Sequence, residues 1–337
     1  MKKVGILTFH ASHNYGSMLQ NFALQQVLRD LGYACETINF RSQVQRLYCS
    51  GQVARPTENV RDVLRKIVLF PWRKDLKLKY EKFENFLRKD LACSAQYNTE
   101  EEVLKEGLHY DIYLAGGDQI WNVKAKDFSW LYFLPFPAAK KIAYAPSFGD
   151  KPTQLLTEQD KVKIKEYLRT FSAVSVREES GADLLASFTN RPQVTLDPTL
   201  LLDADQWKKY ISPEPLIKGE YLFVYVPYSR PQLLKSIPPG NRLPLVISLP
   251  LGISTLYKPN FIKYFQAGPW DFLNLIYYSK GVVSGSFHAA VFAKLFNKPL
   301  YCMNMGPGSR IANLEKNFEH LQQDRAQSIQ FLREALQ

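Results

Sequence analysis

The chain has 337 residues, 46% of them hydrophobic, and its 43 Lys and Arg outweigh 32 Asp and Glu to give a formal net charge of +11. This is enough chain for two α/β domains with ordinary cores. The longest apolar stretches are strand-sized, and Met1-Lys2-Lys3 leads into one without an apolar signal core, so the reading is a cytoplasmic protein without a membrane span. Cys35, Cys49, Cys93 and Cys302 are widely spaced, with no Cys-x-x-Cys and no His at ligand spacing, which points to neither a disulfide framework nor a structural zinc.

In chain order, residues 4–9 read as a buried strand. Met18, Leu19, Phe22, Ala23, Val27, Leu28 and Leu31 then recur at helical spacing up to Gly32, and residues 35–40 return as a strand, making a βαβ unit. Between Arg61 and Lys89 lies a basic stretch that also carries Trp72, Tyr80, Phe83 and Phe86, a helical insertion spanning about residues 55–95. It reads either as an amphipathic helix with a solvated basic face or as a contact for an anionic polymer or the inner membrane surface; no nucleic acid partner is expected. Strands at 111–115, 141–145, 173–176 and 193–196, with helices at 158–169 and from Glu179, complete a first domain over residues 1–198, closed by Asp197-Pro198. A second runs over 199–310, with strands at 221–226, 244–249, 281–284 and 299–303 and helices at 269–279 and 287–296. The Pro-rich segment 227–243 is too short for a full crossover helix, so this domain is reduced. Residues 311–337 read as polar helices that pack back across the boundary.

No Gly-x-x-x-x-Gly-Lys-Ser/Thr and no Gly-x-Gly-x-x-Gly after the first strand are present, which argues against nucleoside triphosphates and dinucleotides. Asp203-Ala204-Asp205 has the form of a metal motif but sits as a helix cap ahead of Gln206-Trp207, and no metal is expected. The informative residues stand at strand ends. Asn14, Gly16 and Ser17, with Tyr15, open the first helix and suit an anion or sugar hydroxyls, or Asn14 simply caps the helix. Gly116-Gly117 is followed by Asp118, Gln119, Trp121 and Asn122, the carboxylate, amides and indole of a carbohydrate site, or a turn with a packed Trp. Arg177 ends a strand where it grips a phosphate or carboxylate, or bridges to Glu178 or Glu179. Near the other end, Ser284-Gly285-Ser286 leads into His288 in the first turn of a helix, a candidate acid or base or a packed His, and Arg310 adds a further cation. Two such places far apart in sequence suggest one cleft built from two halves.

These residues carry a resemblance. Asn14-Tyr15-Gly16-Ser17, Gly117-Asp118-Gln119-Ile120-Trp121-Asn122, Tyr144-Ala145-Pro146-Ser147, Ser175-Val176-Arg177-Glu178, Asp197-Pro198-Thr199-Leu200 and Ser286-Phe287-His288 with Asn297-Lys298-Pro299 are similar, in this order, to the polysaccharide pyruvyl transferase family. The resemblance implies two Rossmann-like domains facing a cleft, a GT-B-like architecture. It also implies an enzyme without cofactor that takes phosphoenolpyruvate as donor, sets pyruvate as a ketal on two sugar hydroxyls and releases phosphate in surface polysaccharide synthesis. The acceptor would be a sugar, lipid-linked or nucleotide-linked glycan precursor. His288 and Asp118 then take the catalytic roles; Arg177, Arg310, Ser286, Asn14, Gly16 and Ser17 face the donor; and Gln119, Trp121, Asn122 and Tyr15 face the acceptor. Some members carry Arg two residues before the motif His, where this chain has Ser286; one expected cation is missing, and Arg310 is its candidate replacement. The competing functions are a nucleotide-sugar glycosyltransferase of the same architecture and a non-catalytic glycan-binding protein of the assembly complex.

Overall fold

A computed structural model describes residues 1–48, 67–107, 109–149, 156–227, 231–251, 253–302, 314 and 318–337. The chain divides into two compact units, Met1–Tyr48 with Leu87–Leu202 and Lys316–Gln337, and Cys49–Phe86 with Asp203–Glu315. The division at Leu202 lies four residues past the expected Pro198. Most of the basic insertion counts with the second unit, whereas the sequence reading had kept it in the first.

The first unit is built on a seven-stranded parallel sheet of order β3-β2-β1-β4-β5-β6-β7. Its strands are β1 (Lys3–Leu7), β2 (Ala34–Phe40), β3 (Cys93–Tyr97), β4 (Ile112–Gly116), β5 (Lys141–Tyr144), β6 (Ala173–Val176) and β7 (Gln193–Val194). Its helices are α1 (Tyr15–Asp30), α2 (Gln43–Tyr48), α4 (Glu100–Glu106), α5 (Glu158–Leu168) and α6 (Glu179–Ala186), and α11 (Leu321–Leu336) returns to this unit; α3 (Arg73–Lys89), which precedes β3, belongs to the second unit as far as Phe86. The strand order reverses between β1 and β4, which pair in register Val4↔Ile112 to Leu7↔Ala115. In an open α/β sheet a ligand site lies beyond the carboxyl ends of the strands at such a reversal. The central strands are apolar on both faces, as parallel strands covered by helices must be, and the core gathers Leu7, Ile38, Trp121, Phe133 and Phe148. α11 is tied in by Leu196 N–H donating to Ser328 Oγ at 2.9 Å and Arg325 Nε donating to the Leu200 carbonyl at 2.7 Å.

The second unit has a five-stranded parallel sheet, β10-β9-β8-β11-β12, formed by β8 (Leu222–Tyr225), β9 (Leu245–Ile247), β10 (Phe261–Lys263), β11 (Gly281–Ser284) and β12 (Leu300–Tyr301). Its reversal falls between β8 and β11. α7 (Ala204–Lys208), α8 (Ile253–Leu256), α9 (Pro269–Tyr277) and α10 (Phe287–Leu295) accompany it, and a 3-10 turn at Pro231–Ser236 stands where a crossover helix would be in a full domain. Asp203 caps α7, its side chain accepting from Gln206 N–H at 2.8 Å while Gln206 returns the bond, so this Asp serves the helix. α3 packs its apolar side here: Trp72 meets Phe265 edge-on at 5.7 Å, Phe86 meets Trp270 at 4.9 Å, and Leu76 joins the cluster of Val224, Ile247 and Phe265. Trp72, Phe83 and Phe86 of the basic stretch are thus used in packing, whereas Phe70, Arg73, Lys74, Lys77, Arg88 and Lys89 remain exposed.

Candidate active site

α1 is unusual in burying polar residues. Gln20, Asn21 and Gln25 are fully buried, and each finds partners, as buried amides must. Gln20 Nε2 donates to Thr8 Oγ1 and to the Ser17 carbonyl, both at 2.9 Å, while Asn21 and Gln25 both donate to Thr37 Oγ1 at 2.8 Å. These bonds fix the helix on β1 and β2 and therefore fix its N-terminus, where Asn14 Oδ1 accepts from Gly16 N–H at 3.0 Å. The capping role of Asn14 is real, and Gly16 and Ser17 are buried beneath it.

Across the sheet reversal, β4 ends in two residues with positive φ, Gly117 at 68° and Asp118 at 51°. A Cβ on Gly117 would lie 1.7 Å from Gln20 Oε1, so only glycine lets the turn approach α1. Gln20 Oε1 itself is buried with no hydrogen-bond partner. The turn aims Asp118 at the first turn of α1. Ser17 Oγ donates to its Oδ2 in a short hydrogen bond, and Gln119 N–H donates to Oδ1 at 2.8 Å. A carboxylate here gains from the helix dipole. The next loop is latched on: Ser147 N–H donates to the Asp118 carbonyl at 2.7 Å, and Gly149 N–H donates to Ser147 Oγ at 3.0 Å. Gln119 and Asn122, partly exposed, pair their amides at 3.2 Å against Gly149, where a Cβ would come within 2.8 Å of both.

Arg177 requires a correction. Its side chain is 2% exposed, with Nε donating to Glu178 Oε1 and Nη1 to Asp197 Oδ2, both at 2.8 Å. Asp197 Oδ1 is in turn held by Thr199 N–H at 2.9 Å and Thr199 Oγ1 at 2.6 Å. Burial opposes the charge on Arg177, yet Glu178, Asp197 and Asp118 together raise its pKa above the ordinary value. Two of its three nitrogens are taken by protein carboxylates and the side chain is buried, so it serves as a structural tie rather than an exposed clamp. Asp118, Glu178 and Asp197 thus surround Arg177 beyond β4, β6 and β7, and Arg41 follows β2 at the same edge.

Two acceptor-site expectations also give way to packing. Trp121 is fully buried, its Nε1 donating to the Tyr132 carbonyl at 3.1 Å and its ring stacked on Phe133 at 4.8 Å. Tyr15 is 1% exposed. Neither presents a face to a sugar.

In the second unit, Ser284 Oγ donates to the Tyr225 carbonyl at 2.6 Å and accepts from Ser286 N–H at 3.0 Å, locking β11 to β8 at their reversal. Ser286 is the N-cap of α10 but makes no side-chain cap bond. His288, in the first turn, is 7% exposed and stands edge-on to Phe287 at 5.3 Å. Serine, backbone N–H groups and an imidazole meet at a helix N-terminus, an arrangement suited to an anion. Next to β8, β9 ends at Ser248, whose Oγ is buried without a hydrogen-bond partner and whose carbonyl accepts from Lys79 Nζ at 3.3 Å. Arg310 lies outside the described residues. Among the described residues no group of three His, Cys, Asp or Glu is placed to hold a metal ion, and no helix is long and apolar enough to cross a membrane.

The first unit thus brings together Asn14, Gly16, Ser17, Asp118, Gln119 and Asn122, and the second holds Ser286 and His288. Sequence reasoning gave Gln20 and Lys79 no place here and read Asp197 only as a domain boundary and motif residue, not as the partner of Arg177. The fully polar face of α1, Gln20-Asn21 with Gln25, was the available signal for the first.

The model of a family described as polysaccharide pyruvyl transferase matches residues 14–307. No protein of curated function matches the chain. Among solved structures, a complex of S. aureus MnaA with UDP is similar at 13% identity and a TM-score of 0.52, covering 96% of this chain and 91% of that one. The UDP-GlcNAc 2-epimerase of Methanocaldococcus jannaschii is similar at 12% identity and a TM-score of 0.50, covering 89% and 83%. The glycosyltransferase SnogD from Streptomyces nogalater aligns at 12% identity with a TM-score of 0.44, covering 99% and 95%. At such identities the likeness to the first two bears on the fold alone, two Rossmann-like domains of GT-B-like type.

Proposed function

Because the chain belongs to the polysaccharide pyruvyl transferase family, we propose that it moves pyruvate from phosphoenolpyruvate onto two hydroxyls of a sugar in a glycan precursor, as a ketal, with release of inorganic phosphate. The observation that supports this division of substrates is charge. The carboxyl edge of the first unit gathers Asp118, Glu178 and Asp197 around Arg177, whose Nε and Nη1 are taken by two of these carboxylates, which suits a hydroxyl-bearing acceptor better than a phosphate. The β8/β11 end of the second unit offers a helix N-terminus, Ser286 and His288, which suits an anionic donor.

The roles follow residue by residue. His288 is assigned the proton that converts the donor methylene to methyl, leaving positive character at C2. A sugar hydroxyl oxygen bonds to C2, and Asp118, oriented by Ser17, takes its proton. The C2–O bond to phosphate then breaks, the second hydroxyl oxygen bonds to C2, and its proton leaves with the phosphate. Of the two hydroxyl protons lost, one balances the new methyl hydrogen and the other goes to phosphate. Gln119 and Asn122, partly exposed, are the amides left to orient the acceptor.

The test is to incubate the protein with phosphoenolpyruvate and fractionated lipid-linked and nucleotide-linked glycan precursors, following phosphate release and the acid-labile ketal by mass. Acceptor-dependent phosphate release is expected. Nucleotide release from a nucleotide sugar would replace this reading with a glycosyltransferase, and glycan binding without turnover would replace it with a binding protein.

A further inference from the structure

From Trp72, just before α3, the side turned to its own unit continues through Leu76, Lys79, Phe83 and Phe86, the spacing of a buried helical seam. Phe83 and Phe86 are buried, and Trp72 and Leu76 pack into the second-unit core. The middle position of that seam is a lysine. Its neighbour Leu78 is turned outward and 39% exposed, while Lys79 is largely covered. Packing alone favours the reverse arrangement, because an apolar side chain in the seam is stabilising and an ammonium there is costly. A lysine stem often lies along apolar surface with its head in water. Here the head turns inward, with Nζ donating to the Ser248 carbonyl at 3.3 Å and standing 5.8 Å from the Phe83 ring centre. Burial lowers its pKa to about 7.

Ser248 follows β9 at the carboxyl edge of the sheet, beside β8 and two strands from β11. Neighbouring strands are about 5 Å apart, so this edge lies roughly 10 Å from Ser284-Gly285-Ser286, a span that a small anion and two side chains can bridge. The same Ser248 carries a buried hydroxyl with no hydrogen-bond partner. A covered cation and an unused hydroxyl therefore stand together on the edge that holds His288. Among the described residues, titratable groups on elements packed against α3 include Asp271, Tyr257 and Tyr264, and α3 itself carries Asp75 one turn before Lys79, with Tyr80 and Glu84 after it. Asp271 is engaged by Lys82 at 2.5 Å, and on α3 itself Glu81 faces Lys77 at 3.8 Å.

We propose that Lys79 is the cation of the donor half-site, holding the donor phosphate together with the Ser248 hydroxyl and supplying the positive charge that Ser286 lacks. This rests on the donor reading above. It gives the basic stretch a function in the reaction: above neutral pH the lysine is largely uncharged while the site is empty and takes up a proton as the dianion arrives.

The experiment is calorimetric titration at pH 8 of wild type, Lys79→Met, Lys79→Arg and the double variant Lys79→Met/Ser286→Arg with phosphoenolpyruvate and, separately, with inorganic phosphate, in two buffers of different ionisation enthalpy. In wild type, donor binding should take up about one proton. Lys79→Met should weaken both ligands about 10- to 100-fold and abolish that uptake. Lys79→Arg, permanently charged, should keep affinity without the uptake, and the double variant should regain affinity. Unchanged affinity and proton uptake in Lys79→Met would make Lys79 a helix anchor and overturn the inference while leaving the donor reading intact. Wild type that binds neither ligand would overturn both. If Lys79→Met fails to fold, Lys79→Arg decides: proton uptake persisting there overturns the inference.

Discussion

The two strand-order reversals of this molecule carry opposite chemistry. Near β1/β4 Asp118 is held on several sides, by Ser17, Gln119 and, at its carbonyl, Ser147, while Gln20 Oε1 stays without a partner; beyond β6, Glu178 and Asp197 close on Arg177. At β8/β11 the ties stop short of the helix mouth. Ser286 caps α10 without a side-chain bond, and Ser248 Oγ is unused. A carboxylate fixed by donors is a base whose position does not depend on the substrate, whereas uncommitted hydroxyls and N–H groups are free to wrap an incoming anion. The contrast teaches that an arginine at a strand end is a ligand group only when its own shell leaves it one.

Catalytic variants break the comparison most sharply. Asp118→Asn should lower ketal formation about 10²- to 10⁴-fold while leaving phosphoenolpyruvate affinity intact, and His288→Ala should lower turnover by a similar factor; single-turnover assays beside donor titration would separate the two. Next, Arg177→Met leaves Glu178 and Asp197 buried and unpaired, and should cost the first unit about 3–5 kcal/mol in urea unfolding. If that variant stays fully stable and loses only donor binding, the tie is misread and Arg177 belongs to the donor.

Lys79→Met sharpens the other side. In the folded chain Lys79 loses its proton near pH 7, against an ordinary value of 10.5, so the unfolded chain binds more protons between these values. The wild-type penalty is full below pH 7 and fades as pH rises toward 10.5. The variant should therefore melt higher than wild type near neutral pH, with the gain shrinking at alkaline pH; a gain that grows with pH would contradict the burial of this ammonium. The smallest expected effect concerns the exposed face of α3. Arg73, Lys74, Lys77, Arg88 and Lys89 should give weak sedimentation with vesicles containing anionic lipid, about 1 kcal/mol per charge near the surface, removed by salt. Binding indifferent to lipid charge would end that reading.

Much of this was legible beforehand because apolar periodicity follows backbone geometry. The strands at Lys141–Tyr144, Ala173–Val176 and Gly281–Ser284 and the helix at Phe287–Leu295 stand within a residue or so of their expected ends. Cys93–Tyr97 escaped because an edge strand half-open to solvent carries Ser and Gln and shows no apolar run, and Phe261–Lys263 escaped because three residues give no period. Asp118 and His288 stand just beyond strand ends, where the apolar runs before them placed them. Trp121 and Arg177 were placed correctly along the chain, but their exposure depends on Phe133, Tyr132 and Asp197, contributed by distant segments. Lys79 was hidden inside a run of charges, where only the contrast with outward-facing Leu78 reveals it.

The central claim is that the second unit receives phosphoenolpyruvate while the first serves the acceptor. Isothermal titration of phosphoenolpyruvate and a panel of nucleotide sugars into wild type and Asp118→Asn tests it most directly. The account predicts equal heats of donor binding to both proteins and none from nucleotide sugars. Silence with phosphoenolpyruvate and heat from a nucleotide sugar would contradict it and turn the reading to glycosyl transfer.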